Sequence, residues 1–161
     1  MSDHTIDVQI EEPYKPQVGG KPLRRAAETV LRQQGVEEPC ELAVVVSGDE
    51  TLHQLNRRHR GVDAPTDVLA FPHKTKSPGF TFINAPGYPR YLGDVIISFP
   101  RAKAQAIEAE NELLAELQLL VIHGVLHLLG YDDETEPGRQ RMWQAQQAVL
   151  EDIGAEVHLR D

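Results

Sequence analysis

The sequence has one cysteine, no long hydrophobic run and fewer bases than acids, and each shortage excludes a class of protein. Cys40 alone cannot build an internal disulfide framework, which favours a reducing compartment. The apolar stretch at residues 119–129 is interrupted by His123, Gly124 and His127, and no run approaches the roughly 20 apolar residues of a membrane span. The first residues lack the basic start and apolar segment of a secretory signal. We therefore expect a soluble, cytoplasmic protein that makes no membrane contact.

Basic residues are scarce but unevenly distributed. Twenty-five acids and sixteen bases give a net charge of −9, and such a chain is on average repelled by phosphate. Residues 57–103 nevertheless contain eight bases and only three acids. A basic middle in an acidic chain favours an anion-binding site, although a chance cluster of solvated charges explains it equally well.

The length of 161 residues predicts a single domain over the whole chain. Alternating or β-branched apolar residues predict strands at residues 6–10, 42–46, 68–71 and 95–98, the first of them at a sheet edge. Helical periodicity predicts helices at residues 23–34, 50–58, 101–129 (with a break or two) and 134–153. Residues 73–91 mix lysine, proline and glycine with aromatics and predict a loop or hairpin. Early strands and late helices favour an α+β fold, with about four strands in a small mixed sheet and about five helices.

The most informative stretch is residues 123–133, which contain two histidines four positions apart. On a helix His123 and His127 project from the same face, the geometry with which zinc helices hold an ion. Gly130 can end that helix in a left-handed conformation, so that the chain turns back and Asp133 approaches the same ion. Two imidazoles and one carboxylate leave zinc an open position, as in a catalytic site.

Two other interpretations of this stretch remain open. Histidines four residues apart also occur as satisfied core residues on apolar helices. Asp133, followed three residues later by Glu136, also resembles a capping box, which would make it the N-cap of the last helix. A zinc protease is disfavoured, because its H-E-x-x-H motif carries a general base where this chain has Gly124.

Three ordered segments resemble the YbeY family of bacterial endoribonucleases, also called rRNA maturation factors. Residues 123–132 resemble the signature H-G-x-L-H-L-x-G-Y-D-H. Residues 55–72 resemble the segment L-N-x-x-[YF]-R…P-T-D-V-L-S-F-P, and residues 93–98 resemble the strand G-D-[IV]-x-I-[SC]. The resemblance covers about residues 41–153, whereas residues 73–91 fall where family members vary in length.

The resemblance implies an α+β fold whose C-terminal motif, on a helix and the following turn, holds one zinc ion. It implies a metal-dependent endoribonuclease that acts on single-stranded RNA in ribosomal RNA maturation (the 16S rRNA 3′ end) and in ribosome quality control, with the small ribosomal subunit as a partner. It assigns catalytic roles to Arg60 and His123, and the metal-ligand positions fall on His123, His127 and Asp133. From the basic segment we add candidate RNA contacts at Arg57, Arg58, Lys74 and Lys76, which plain solvation also explains.

The chain departs from the family pattern at three positions. Asp133 stands where the family has its third ligand histidine, His59 replaces a tyrosine or phenylalanine, and Ala70 replaces a serine. The substituted ligand keeps a second function open, that of a non-enzymatic ribosome-assembly factor with a structural metal. A zinc hydrolase acting on peptides is a third.

Overall fold

One mixed sheet of four strands forms the framework of the molecule. The structure is a computed structural model that describes residues 3–73 and 89–158. Its strands are β1 (Thr5–Ile10), β2 (Cys40–Ser47), β3 (Val68–Pro72) and β4 (Arg90–Ser98). They lie in the order β1-β2-β4-β3, with β3 antiparallel to β4 and the other two pairs parallel. The segment predicted as an edge strand, β1, does lie at an edge.

The described residues also form five α-helices, so the predicted α+β fold is confirmed. They are α1 (Gly20–Gln33), α2 (Asp49–Arg60), α3 (Phe99–Ala109), α4 (Leu113–Leu128) and α5 (Glu136–Ile153). A short 3-10 turn at Glu12–Tyr14 was not predicted. The expected break in the long helical segment lies between α3 and α4, where Glu110 adopts a left-handed backbone conformation with φ of 57°. Among the described residues no helix combines the length and the hydropathy that crossing a membrane requires.

Most predicted boundaries differ from the observed ones by one to three residues, and the start of β4 differs by five. Strand β4 begins at Arg90, five residues before the prediction, because its first residues pair with Cys40 and Glu41 of β2. Asp49 is the first residue of α2, one residue before the predicted start of that helix, and Gly48 precedes it. Its carboxylate accepts hydrogen bonds from the Ser98 hydroxyl and from the Arg101 side chain, which ties α2 to the start of α3.

Helix α4 is the central helix, and its environment explains its composition. It contacts β3, β4, α1, α3 and α5. Eleven of its sixteen residues are buried, as expected for a helix that is apolar on nearly all sides. His123 and His127 are among the few residues of α4 that are not buried, and they are the polar ones among them.

A glycine sets how closely α4 approaches the sheet. A Cβ atom at Gly124 would lie only 2.4 Å from Cγ1 of Val95 on β4. Carbon atoms in ordinary contact are roughly 3.5–4.0 Å apart, so the present packing leaves no space for a side chain at position 124. The glycine that distinguishes this motif from H-E-x-x-H thus has a packing role.

Candidate metal centre

The last turns of α4 bring the two histidines together as their spacing predicts. Their Nε2 atoms lie 3.1 Å apart, and the rings meet edge to face with centroids 4.6 Å apart. The side chains of His123 and His127 are 29% and 25% exposed, so both remain accessible from solvent.

The turn after α4 returns the chain to the same place. Gly130 has φ of 102°, a left-handed conformation that glycine adopts without strain. Oδ2 of Asp133 then lies 3.9 Å from Nε2 of His123 and 3.7 Å from Nε2 of His127.

The spacing of these three atoms is compatible with one bound metal ion. With the 3.1 Å separation of the two nitrogens, a circle through the three atoms has a radius of about 2.1 Å, the length of a zinc–nitrogen bond. Among the residues that the structure describes, His123, His127 and Asp133 form the one group of histidine, cysteine or acidic side chains arranged to hold a metal ion.

Asp133 does not cap the last helix, so that alternative is wrong. Helix α5 begins at Glu136, and the Thr135 side chain accepts the hydrogen bond from the Gly138 amide at 3.1 Å. Pro137 in the first turn cannot donate an amide proton, which leaves the Gly138 amide as the group to be capped. Glu136, the expected second half of the capping box, pairs with Arg139 instead.

The local environment favours the neutral, metal-binding form of His127. Burial lowers the pKa of His127, and the neighbouring His123 and the Arg60 guanidinium lower it further. Asp133 and a hydrogen bond with the Tyr131 backbone raise the pKa, but the lowering effects are larger. A histidine ligand must be unprotonated at the coordinating nitrogen.

Sequence reasoning missed one contact of the site, at Gln146. Its Oε1 atom lies 2.7 Å from Nδ1 of His123. The residue lies on α5 on the same side as Met142 and Val149, which are buried. In the sequence, a glutamine at a position where helical spacing predicts a buried apolar residue would have indicated this contact.

Arg60 lies in the same cleft as the three candidate ligands. As the last residue of α2, it lines a cavity of about 320 Å³ together with His123, His127 and Asp133. The cleft also contains Asp67, Asp132 and Glu134. Four acidic residues and one arginine line the cleft, a charge balance that favours a cation over a phosphate.

Of the other predicted RNA contacts, the two that the structure describes, Arg57 and Arg58, do not line this cleft. Arg57 and Arg58 line a separate groove on α2 with Glu50 and His53. Lys74 and Lys76 fall outside the described residues. Two more bases of the basic segment are neutralised by ion pairs, Arg90 with Glu38 at 2.9 Å and Arg101 with Asp49 at 3.3 Å.

The remaining motif residues have structural contacts. The carboxylate of Asp67 accepts hydrogen bonds from the Val68 amide at 2.8 Å and from Gln105 at 3.2 Å, which holds the start of β3. The ring of His59 contacts Phe71 edge to face at 5.1 Å, so the substituted aromatic position still packs on β3.

Comparisons with known proteins show which family the chain resembles. The chain matches the family model described as endoribonuclease YbeY over residues 7–154. It is 40% identical over 154 residues to "Endoribonuclease YbeY" of Roseiflexus sp. (strain RS-1), covering 95% of each chain. It is 45% identical over 148 residues to the protein of the same name from Synechococcus sp. (strain JA-2-3B'a(2-13)), covering 92% of this chain and 90% of the relative.

A solved structure extends the likeness to the fold. The solution structure of TM1509 from Thermotoga maritima superimposes with a TM-score of 0.59 and 25% identity, covering 92% of this chain and 89% of that one. The family match also includes β1 and α1, which lie before the segment that the three motifs cover. The resemblance predicted from those motifs is therefore confirmed, and the chain belongs to the YbeY endoribonuclease family.

Proposed function

We propose that this protein is a zinc-dependent endoribonuclease that hydrolyses phosphodiester bonds of ribosomal RNA at the cleft formed by α2, α4 and the turn before α5. The convergence of His123, His127 and Asp133 beside the Arg60 guanidinium carries the proposal. The name shared by its relatives supports RNA as the substrate. The proposed substrate region is the single-stranded 3′ end of 16S rRNA, with the cytoplasmic small ribosomal subunit as the partner.

In this proposal each residue has a distinct task. The two imidazole nitrogens and the Asp133 carboxylate hold the ion, and they leave it an open position for water or substrate. A bound zinc ion would supply Lewis-acid activation of water near neutral pH. Arg60 offers five donors in a planar fork, and from the end of α2 it stabilises the charge that develops on the phosphoryl oxygens.

The charge of the residues that line the cleft supports a role for a metal cation in RNA binding. Asp67, Asp132, Asp133 and Glu134 outnumber the single guanidinium, so a phosphate entering the metal-free cleft meets net negative charge. A divalent cation offsets two of these charges. RNA binding at this cleft should therefore depend on the metal as well as on the arginine.

The two competing functions fit the site less well. A peptide hydrolase of the H-E-x-x-H type needs a glutamate at position 124, where a Cβ atom already collides with Val95. A structural zinc site is typically closed by four protein ligands. Here three candidate ligands lie in an open cleft, and their side chains are 25% to 46% exposed.

The test is cleavage of a single-stranded RNA oligonucleotide by the purified protein, with casein as the alternative substrate. Zinc-loaded protein should cut RNA but not casein, lose activity with a chelator and regain it with added zinc. The His123→Ala variant should be folded and inactive. Gln144→Ala is the control, because Gln144 is an exposed residue of α5 that does not line the cleft. Cleavage that survives both the chelator and His123→Ala would refute the proposal, and a variant that fails to fold would favour the structural-metal function.

A further inference from the structure

Helix α5 has a polar residue in its buried stripe. Met142, Val149 and Ile153 are buried and recur at helical spacing on one side of α5. Gln146 lies four residues after Met142 and three before Val149, so it belongs to the same side, and its side chain is partly buried. A polar group at such a position costs stability unless it is hydrogen-bonded.

The partner of Gln146 is a candidate metal ligand. Its carbonyl oxygen Oε1 lies 2.7 Å from Nδ1 of His123, on the side of the ring that faces away from His127. A carbonyl oxygen only accepts, so this contact requires the proton of the neutral imidazole to be on Nδ1. Nε2 then carries the lone pair, and Nε2 is the atom that lies 3.1 Å from His127 and 3.9 Å from Asp133.

The two histidines differ in what orients them. The ring of His127 hydrogen-bonds the backbone of Tyr131, which no side-chain substitution removes. The ring of His123 depends on a side chain from another helix, 23 residues away along the sequence. The packing of α5 against α4 is thus coupled directly to the geometry of the metal centre.

We propose that Gln146 is a positioning residue of the metal centre: it fixes the orientation and the tautomer of His123 and thereby raises the affinity for zinc. This inference rests on the metal centre of the proposed function. Partners in this outer position typically change metal affinity by about 10- to 100-fold when they are removed. Gln146 itself touches neither the ion nor the substrate.

Three variants test the proposal. Gln146→Leu keeps a similar volume beside Met142 and Val149 but removes the acceptor, so the fold should be retained. Gln146→Glu keeps an acceptor oxygen and adds the charge found in carboxylate–histidine–zinc arrangements. Gln144→Leu is the control, because Gln144 is an exposed glutamine on the same helix.

The readouts are zinc affinity, from competition with a chromophoric chelator, and the tautomer of His123, from nitrogen-15 chemical shifts of the metal-free protein. We expect Gln146→Leu to lower zinc affinity about 10- to 100-fold and to lose the preference for a proton on Nδ1. Gln146→Glu should bind zinc at least as tightly as the wild type, and Gln144→Leu should match the wild type in both measurements.

The outcomes separate this inference from the proposed function. Wild-type zinc affinity in Gln146→Leu, or an unchanged tautomer, would overturn the inference and leave the nuclease proposal intact. If Gln146→Leu weakens zinc binding as expected but the wild-type protein cuts no RNA, the nuclease proposal is refuted and the inference is upheld. A wild-type protein that binds no zinc would overturn both.

Discussion

Gly124 offers the sharpest test of how α4 is held against the sheet. In a Gly124→Ala variant the new methyl group would lie 2.4 Å from Cγ1, 2.9 Å from Cγ2 and 3.2 Å from Cβ of Val95. Val95 is completely buried in β4, so its side chain cannot relieve the overlap by turning out into solvent. Relief of the overlap requires α4 to shift away from the strand, and His123 is the adjacent residue on that helix.

The expected effect on stability combines two opposing contributions. Overpacking a core by one methyl group typically costs about 1–3 kcal/mol, and an overlap this large belongs at the upper end. Alanine gains about 1 kcal/mol over glycine in a helix interior. We therefore expect Gly124→Ala to lower the free energy of unfolding by about 2 kcal/mol, with weaker zinc binding as the helix shifts.

A second substitution makes the test specific. Val95→Ala removes both γ-methyl groups and should cost about 2 kcal/mol by itself through lost burial and the resulting cavity. In that background Gly124→Ala retains only the contact at 3.2 Å, and its methyl group partly fills the cavity. In the Val95→Ala background, Gly124→Ala should therefore be neutral or stabilising, whereas in the wild type it is destabilising.

Urea unfolding of the metal-free wild type, the two single variants and the double variant measures this cycle. A coupling energy of about 2–3 kcal/mol between the two positions is expected. An equal cost of Gly124→Ala in both backgrounds would refute the argument that Val95 is the obstacle.

Further predictions concern the cleft and its surroundings. Arg60→Ala should lower the rate of RNA cleavage at least about 100-fold at unchanged zinc content, and unchanged turnover would remove Arg60 from the mechanism. Charge reversal at Arg57 and Arg58 should weaken RNA binding and flatten its salt dependence, and salt slopes equal to the wild type would exclude that groove as an RNA surface. Asp133→Ala should lose stoichiometric zinc, whereas Asp133→His should keep it and move the pH optimum of cleavage downward; wild-type affinity in Asp133→Ala would place the third ligand elsewhere. Because burial keeps the pKa of His127 below its ordinary value, the unfolded chain takes up a proton below about pH 6.5 that the native metal-free protein resists. The free energy of unfolding, measured by urea titration, should therefore decrease as the pH is lowered from 7.5 to 5.5. An equal decrease in the His127→Gln variant would assign the effect to other groups.

The local part of the site was predictable from the sequence. Helical periodicity determines which residues share a face, so the approach of His123 and His127 follows from their spacing alone. Gly130 similarly marks the end of the helix and the return of the chain toward Asp133.

The long-range part was not predictable from local patterns. The start of β4 at Arg90 depends on pairing with β2, a contact between segments 50 residues apart in sequence. Gln146 lies in the site only because α5 packs on α4, and periodicity alone gives no indication of which helix lies opposite. For Arg60 the resemblance to the family motifs supplied what local patterns could not. It assigned this residue of a distant segment to the site, and Arg60 lines the same cleft as His123 and His127.

The contacts of the residues beside Asp133 help to explain why an aspartate can stand at a position where the family has a histidine. The chain from Asp132 to Thr135 is polar throughout, and local hydrogen bonds account for two of its members. The Asp132 carboxylate accepts from the Glu134 amide at 2.8 Å, and Thr135 caps α5. The Asp133 carboxylate instead lies 3.7 Å from the nearer imidazole nitrogen, a position that the turn and cap do not require. Since a carboxylate oxygen binds zinc at about the same distance as an imidazole nitrogen, the replacement of histidine by aspartate is compatible with the proposed three-ligand site and adds one negative charge to it.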